Sequence, residues 1–188
     1  MTVVALVLAA GQGSRFGADK RRATLPDGRN LLAHSVERAL AVFAEVRVVL
    51  RDGERAEDFG LPAGCRVIHS PQAAFGMGHS LAAGAASLVD SKAQAVAILL
   101  GDMPWIAPQT LRALSEAASA STILFPLHDG QRGHPVLFGR DFWPELSRLS
   151  GDEGARAVVQ AHRDRCLTLN VADAGVLRDV DTPDALSG

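Results

Sequence analysis

The sequence is poor in the features that mark several protein classes. It has only two cysteines, Cys65 and Cys166, far apart in the chain. There is no C-x-x-C pair, so a thiolate metal knuckle is excluded. The two thiols read as small residues in a reducing compartment, with a disulfide between them as the other reading. No apolar run approaches the ~20 residues needed to span a bilayer. The opening run up to Ala10 is apolar, yet no basic segment precedes it. It is read as a strand rather than a secretory leader, and a cytoplasmic protein is expected. Charge is close to balance as well: 19 basic against 21 acidic residues leave a net charge of −2. Overall charge therefore builds no surface for nucleic acid or an anionic membrane, and neither is an expected partner. Any polyanionic substrate must be held by local cations.

What remains is an ordinary globular composition, 47% hydrophobic and 21% charged over 188 residues. That is enough for one domain with a substantial core. Residues 3–8 are apolar without interruption, the pattern of a strand covered on both faces in a parallel sheet. After Asn30, the residues Leu31, Leu32, Val36, Ala39, Leu40 and Phe43 recur at helical spacing. Strands are expected at 46–50, with Arg47 on the less buried side, and at 65–68, 95–100, 122–125, 135–138, 166–171 and 176–180. Helices are expected at 76–88, at 108–120 with Pro108 in the first turn, at 142–149, at 153–162, and briefly after Thr182. This alternation predicts an α/β, three-layer, Rossmann-like fold with a mostly parallel central sheet. In such sheets ligands bind beyond the carboxyl ends of the strands. The segments there are 9–20, 70–78, 101–104 and 181–183.

Residues 9–20 read Ala-Ala-Gly-Gln-Gly-Ser-Arg-Phe-Gly-Ala-Asp-Lys. Small residues let backbone N–H groups close on an anion, and glycine permits the left-handed torsions that turn them inward. Arg15 offers a planar fork and Lys20 a point charge. Two familiar motifs fail here. The dinucleotide fingerprint needs glycine where Phe16 stands, and the P-loop needs a lysine directly after Gly17. With Arg21 and Arg22 beside Lys20, the run is read as a phosphate cradle rather than a tight turn with solvated charges.

The apolar run 95–100 ends in Gly101-Asp102-Met103-Pro104, which puts Asp102 at the strand tip. A carboxylate beside a phosphate cradle is a natural Mg²⁺ ligand: that ion takes one or two carboxylates and completes its shell with phosphate oxygens and water. Asp179 and Asp181 alternate along the expected last strand and so face the same way. Asp181 is either a second metal ligand or the cap of the short helix at Thr182-Pro183.

Together these segments resemble the MobA-like nucleotidyltransferases, and among them the molybdenum cofactor cytidylyltransferases, over nearly the whole chain. The resemblance is carried by Leu8-Ala9-Ala10-Gly11-x-Gly13-x-Arg15-x-Gly17-x-x-Lys20, by Gly76-Met77-Gly78-His79-Ser80 and by Gly101-Asp102-Met103-Pro104. Gly133-His134-Pro135, Gly151-Asp152-Glu153-Gly154-Ala155-Arg156 and Asp179-Val180-Asp181-Thr182-Pro183 resemble the cytidylyltransferase branch. The resemblance implies a nucleotidyltransferase fold of the GT-A-like type in a single domain, with residues 1–105 mainly for the nucleotide and 106–188 mainly for the acceptor. It implies transfer of CMP from CTP to the phosphate of the molybdopterin cofactor, with release of pyrophosphate. It places Mg²⁺ on Asp102 and Asp181, and Arg15 and Lys20 on the triphosphate. Leu8, Ala9, Ala10, Gly11, Gly13, Ser14, Gly78 and Ser80 complete the implied nucleotide site. Gly133, His134, Pro135 and Arg156 form the implied acceptor site. A passing contact with a molybdoenzyme or its chaperone is implied too.

Lys20 and Pro26 are six residues apart, longer than the family's usual spacing, and Arg22 stands at the usual distance. Lys20 and Arg22 are thus both candidates for the phosphate cation. His79 stands where a small hydroxyl residue is frequent. The implied nucleophile is the acceptor's own phosphate, already anionic, which agrees with the lack of any nucleophile–base triad. His134 is read three ways: a pterin contact, a turn residue packed beside Pro135, or a catalytic acid. Asp152 and Glu153 are expected to cap the following helix, and Trp105 and Trp143 to pack. Three rivals stand. A guanylyl- or sugar-phosphate nucleotidyltransferase would keep the loop and aspartates, although Ala10 leaves less room for a purine than glycine. An NAD(P)H-using oxidoreductase would need an intact fingerprint. A non-catalytic nucleotide-binding accessory would not need both Asp102 and Asp181.

Overall fold

The computed structural model describes residues 1–13 and 16–187. Among them an eight-stranded sheet forms the middle layer. β1 (Val3–Leu8) lies inside it, with β2 (Glu45–Arg51) and β4 (Ala95–Leu100) parallel on either side and β3 (Cys65–Ser70) parallel beyond β2. Every residue of β1 is buried. Val3, Ala5 and Val7 enter one core, while Val4, Leu6 and Leu8 enter another. This is the two-residue period of a strand held between two layers, and it explains why the run carries no polar residue.

Helix α1 (Leu31–Leu40) and helix α3 (Pro108–Ala117) cover the first face through Leu32, Val36, Leu111 and Leu114. The second face is covered by α2 (Met77–Ser87), α4 (Trp143–Leu146) and α5 (Arg156–Ala161), through Leu81, Ala85, Trp143, Leu146 and Val158. α2 sits close to β1 because Gly84 has no side chain: a Cβ there would come within 2.5 Å of Leu6 Cδ2. The Asn30 side chain caps α1 by accepting from the Ala33 N–H at 2.7 Å. Pro108 occupies the first turn of α3, where its missing N–H costs nothing.

Beyond β4 the sheet becomes mixed. β7 (Val136–Gly139) runs antiparallel between β4 and β5 (Ile123–His128), and β8 (Cys166–Asn170) is parallel to β5. β6 (Gln131–Arg132) closes a hairpin on β5 through Asp129 and Gly130, both at positive φ. The expected three-layer α/β architecture is the observed one.

Four local expectations are corrected. Arg47 does not face the less buried side; it is 3% exposed. Its guanidinium reaches Glu45 and Asp90 and the Ser87 carbonyl at the end of α2, so its charge is paired and its donors are used. Residues 176–180 form no strand. A 3-10 turn (Ala174–Leu177) occupies this region, capped by Asp173, whose carboxylate also accepts from the Ala107 N–H and the Thr110 hydroxyl. The helices expected at 142–149 and 153–162 shorten to α4 and α5. The cysteines are free: β3 and β8, which carry them, lie toward opposite sides of the sheet, out of disulfide reach. Among the described residues no helix is long and apolar enough to cross a membrane.

Candidate active site

The loop that follows β1 turns across the carboxyl end of the sheet, and two arginines, one buried and one partly exposed, hold it from behind. Arg21 is 6% exposed. Its guanidinium donates to the Ala9 carbonyl at 2.8 Å, to both Glu54 oxygens at 2.7 and 2.8 Å, and to both Asp19 oxygens at 2.8 Å. From β2, Arg51 donates to the Gly11 carbonyl at 2.6 Å and the Ala10 carbonyl at 3.2 Å. These arginines occupy the loop's carbonyls. The N–H groups of Ala10, Gly11, Gln12 and Gly13 make no hydrogen bond among the described residues. Gly13, at φ 53°, takes the left-handed torsion expected of it. A loop with its acceptors used and its donors open is suited to an anion.

Lys20 comes up from the short 3-10 turn Lys20–Arg22. Its Nζ donates to Asp102 Oδ2 at 2.8 Å and to the Val180 carbonyl at 3.1 Å, and lies 3.7 Å from Asp181 Oδ1. Asp102 stands just past the end of β4. That corner is pinned by the Gly101 N–H on the Leu8 carbonyl at 3.0 Å and by the Ser35 hydroxyl on the Gly101 carbonyl at 3.0 Å. The Val180 N–H donates to the Asp102 carbonyl at 2.9 Å. This bond draws residues 179–181 to the site without a strand.

Asp102, Asp179 and Asp181 each offer an oxygen within 4.8 Å of the other two. Partial burial, with the charges of Asp181 and Asp102 added, raises the Asp179 carboxyl above its ordinary range. Crowded carboxylates of this kind are an all-oxygen donor set, the chemistry that suits a hard divalent cation. Burial lowers the His134 imidazole below its ordinary value, against the pull of Asp102 and Asp179, so the ring is neutral near pH 7.

A cavity of about 450 Å³ opens in front of these groups. Leu8, Ala9, Ala10, Gly11, Gly13, Lys20, Ser80 and Asp102, all singled out in the sequence, line it. Gly78 does not; its N–H donates to the Gly151 carbonyl at 2.8 Å. Arg22 does not line it either: its guanidinium stacks on Phe59 at 4.9 Å. Between the two cations left open in the sequence, the geometry brings Lys20 to the cavity. Ser14 and Arg15 lie outside the described residues.

A second, smaller cavity of about 200 Å³ shares Leu8, Met77 and Leu100 with the first and contains His134 and Arg156. Gly133 and Pro135 are buried beside it. Gly133 is pressed against the Val176 backbone, and the His134 N–H donates to the Val176 carbonyl at 2.9 Å.

Arg21, expected among the cations that face the phosphates, instead supports the loop from behind, and Arg51, for which the sequence carries no signal of a role, does the same; only their contacts with the loop carbonyls distinguish them. Asp152 and Glu153 do not cap α5, whose first turn has no side-chain cap. Asp152 lines the main cavity instead, because the Gly78–Gly151 hydrogen bond draws its loop onto the start of α2. Trp143 packs as expected, 7% exposed. Trp105 is half-buried under the Arg178 guanidinium at 4.4 Å.

Residues 5–166 match the family model of the MobA-like NTP transferase domain. The chain is 29% identical to the purine catabolism protein PucB of Bacillus subtilis, covering 97% of this chain and 93% of that one. It is 25% identical to the molybdenum cofactor cytidylyltransferase of Escherichia coli, covering 95% and 91%. The crystal structure of Rv0371C in complex with manganese, from Mycobacterium tuberculosis, superposes with a TM-score of 0.78 at 28% identity, covering 98% of this chain and 96% of that one.

Proposed function

Because the chain belongs to the MobA-like NTP transferase family, we propose that it transfers CMP from CTP to the terminal phosphate of the molybdopterin cofactor and releases pyrophosphate. The observation that carries this reading is the meeting of the open N–H loop, Lys20 and the aspartate group at one end of a cavity large enough for a nucleotide. The similarity to a cytidylyltransferase supports the choice of nucleotide and acceptor.

In this reading an oxygen of the acceptor phosphate attacks the α-phosphorus of CTP. A P–O bond forms, the α–β bridging bond breaks, and its electron pair leaves with pyrophosphate. The nucleophile is anionic at neutral pH, so no side chain has to deprotonate it. The chain's tasks are alignment and charge compensation. The N–H groups of Ala10 to Gly13 hold the triphosphate. Lys20, freed from Asp102 as the phosphates enter, follows the charge that builds on the leaving group. Neutral His134 and the cationic Arg156 face the acceptor from the adjoining cavity. Asp102 and Asp181, with Asp179 beside them, would hold a divalent cation, Mg²⁺ or Mn²⁺, which offsets repulsion between two anionic reactants. Residues 1–105 mainly supply the nucleotide half and 106–188 mainly the acceptor half of one unit, with Asp152 and Asp181 reaching the nucleotide side from the second half.

The test is pyrophosphate release from each of the four NTPs with molybdopterin cofactor and Mg²⁺. CTP is expected to support turnover and the other three far less. Release with GTP alone, or with none, would refute the proposal.

A further inference from the structure

Among the described residues three aspartates line the main cavity: Asp102 at the cation-binding end, Asp19 paired with Arg21, and Asp152, exposed on the opposite wall. The cavity spans the tip of β1. On the β4 side stand Asp102 and Lys20; on the β3 side stand Ala73, Ala74, Gly76, Met77 and Asp152. The Asp152 carboxylate makes no hydrogen bond or ion pair among the described residues. It is nonetheless held in place. The Gly78 N–H on the Gly151 carbonyl ties its loop to α2, and Gly151 and Gly154 on either side take positive φ of 75° and 58°. Gly76 has no room for a Cβ, which would overlap the Gly151 carbonyl and the Asp152 carboxylate.

A carboxylate in a nucleotide cavity repels phosphates, so it must face a neutral part of the ligand that donates hydrogen bonds. The wall around it is made of small or flat apolar surface, Ala73, Ala74 and Met77, the kind that accepts a planar ring. We infer that Asp152 reads the nucleobase: its carboxylate accepts a hydrogen bond from the 4-amino group of cytosine and so places CTP above UTP. Uracil presents a carbonyl oxygen at that position, and two acceptors facing each other without a proton repel. A hydrogen bond to a charged group, traded for that repulsion, corresponds to a preference of at least about ten-fold.

The inference rests on the CTP reading above, and the experiment separates the two. Binding of CTP, UTP and 2′-deoxy-CTP is measured by calorimetry with Mg²⁺ for the wild type, Asp152→Asn and Asp152→Ala. The wild type is expected to bind CTP at least about ten-fold tighter than UTP. Asp152→Asn, whose amide can donate as well as accept, is expected to bring the two nucleotides within about three-fold. Asp152→Ala is expected to weaken CTP by about ten-fold and, with the repulsion removed, to leave UTP no weaker than in the wild type. A CTP/UTP ratio that survives both substitutions overturns the inference. So does an equal loss of CTP and UTP that also removes the preference for CTP over 2′-deoxy-CTP, since Asp152 would then be holding the ribose. A wild type that binds none of the three removes the CTP reading, and this inference falls with it.

Discussion

Replacing Arg21 with methionine tests whether the loop after β1 is held from behind. The guanidinium meets two carboxylates and a backbone carbonyl in five contacts of 2.7–2.8 Å, and stacks on Phe59 at 4.4 Å. Methionine keeps the apolar contact and deletes every donor, leaving Glu54 and Asp19 facing each other without their cation. Breaking a fully buried pair costs about 3–5 kcal/mol. Glu54 and Asp19 keep side-chain exposures of 21% and 33%, so water recovers part of that, and about 2–3 kcal/mol is expected. For a domain of this size the melting temperature should fall by about 5–10 °C. The loss should also depend on pH. Asp19 is held below its ordinary carboxylate range by its hydrogen bond from Arg21. Glu54 is held low as well, its burial outweighed by the bonds from Arg21 and the Arg51 backbone. A carboxyl depressed in the folded state contributes stability that is full above its unfolded pKa, roughly 4, and fades as pH drops toward the folded value. The gap between wild type and variant should therefore be widest near pH 7 and narrow below about pH 4. Circular dichroism melts across pH 3–7 measure it. A shift under about 2 °C at pH 7, or a gap that stays constant into acid, would refute the reasoning.

Asp102→Asn should keep the fold and lose NTP-dependent pyrophosphate release by at least about a hundred-fold at saturating Mg²⁺; an active variant would remove Asp102 from the site. Lys20→Met should reduce turnover by a similar factor of about a hundred, whereas Arg22→Met should leave it within about two-fold because its side chain points to Phe59 rather than the cavity. Equal effects of the two would reopen the choice of phosphate cation. Gly84→Ala should destabilise by about 1–3 kcal/mol in urea unfolding, since its Cβ meets Leu6 across the α2–β1 contact; a neutral result would mean that α2 can move away from the sheet without penalty.

Much of the frame was readable from the chain because its central strands are enclosed on both sides. β1 and β4 can tolerate no polar residue, and an uninterrupted apolar run follows. Arg47 is buried because, besides the nearby Glu45, it meets Ser87 and Asp90 some forty residues away, contacts that no local pattern encodes. Residues 176–180 have the apolar spacing of a strand, yet Gly175 fits against the Trp105 backbone and Asp173 caps the turn. Tertiary packing overrode the pattern. Asp179 and Asp181 were grouped by assuming a strand. They reach Asp102 for another reason, the bond from the Val180 N–H to the Asp102 carbonyl and the grip of Lys20 on the Val180 carbonyl. Asp152 had the local signature of a helix cap, and its place in the cavity follows from a contact with α2 that no spacing rule encodes.

That bond between residues 102 and 180 has a consequence for how the protein is made. A ribosome-bound chain that has emerged only as far as residue 140 already contains β1 to β4, the open loop, Lys20 and Asp102. It has neither Asp179 nor Asp181, and Lys20 has no Val180 carbonyl to grip. Such a nascent chain has the open loop and one carboxylate, and the group of three is gathered only when the last ten residues arrive.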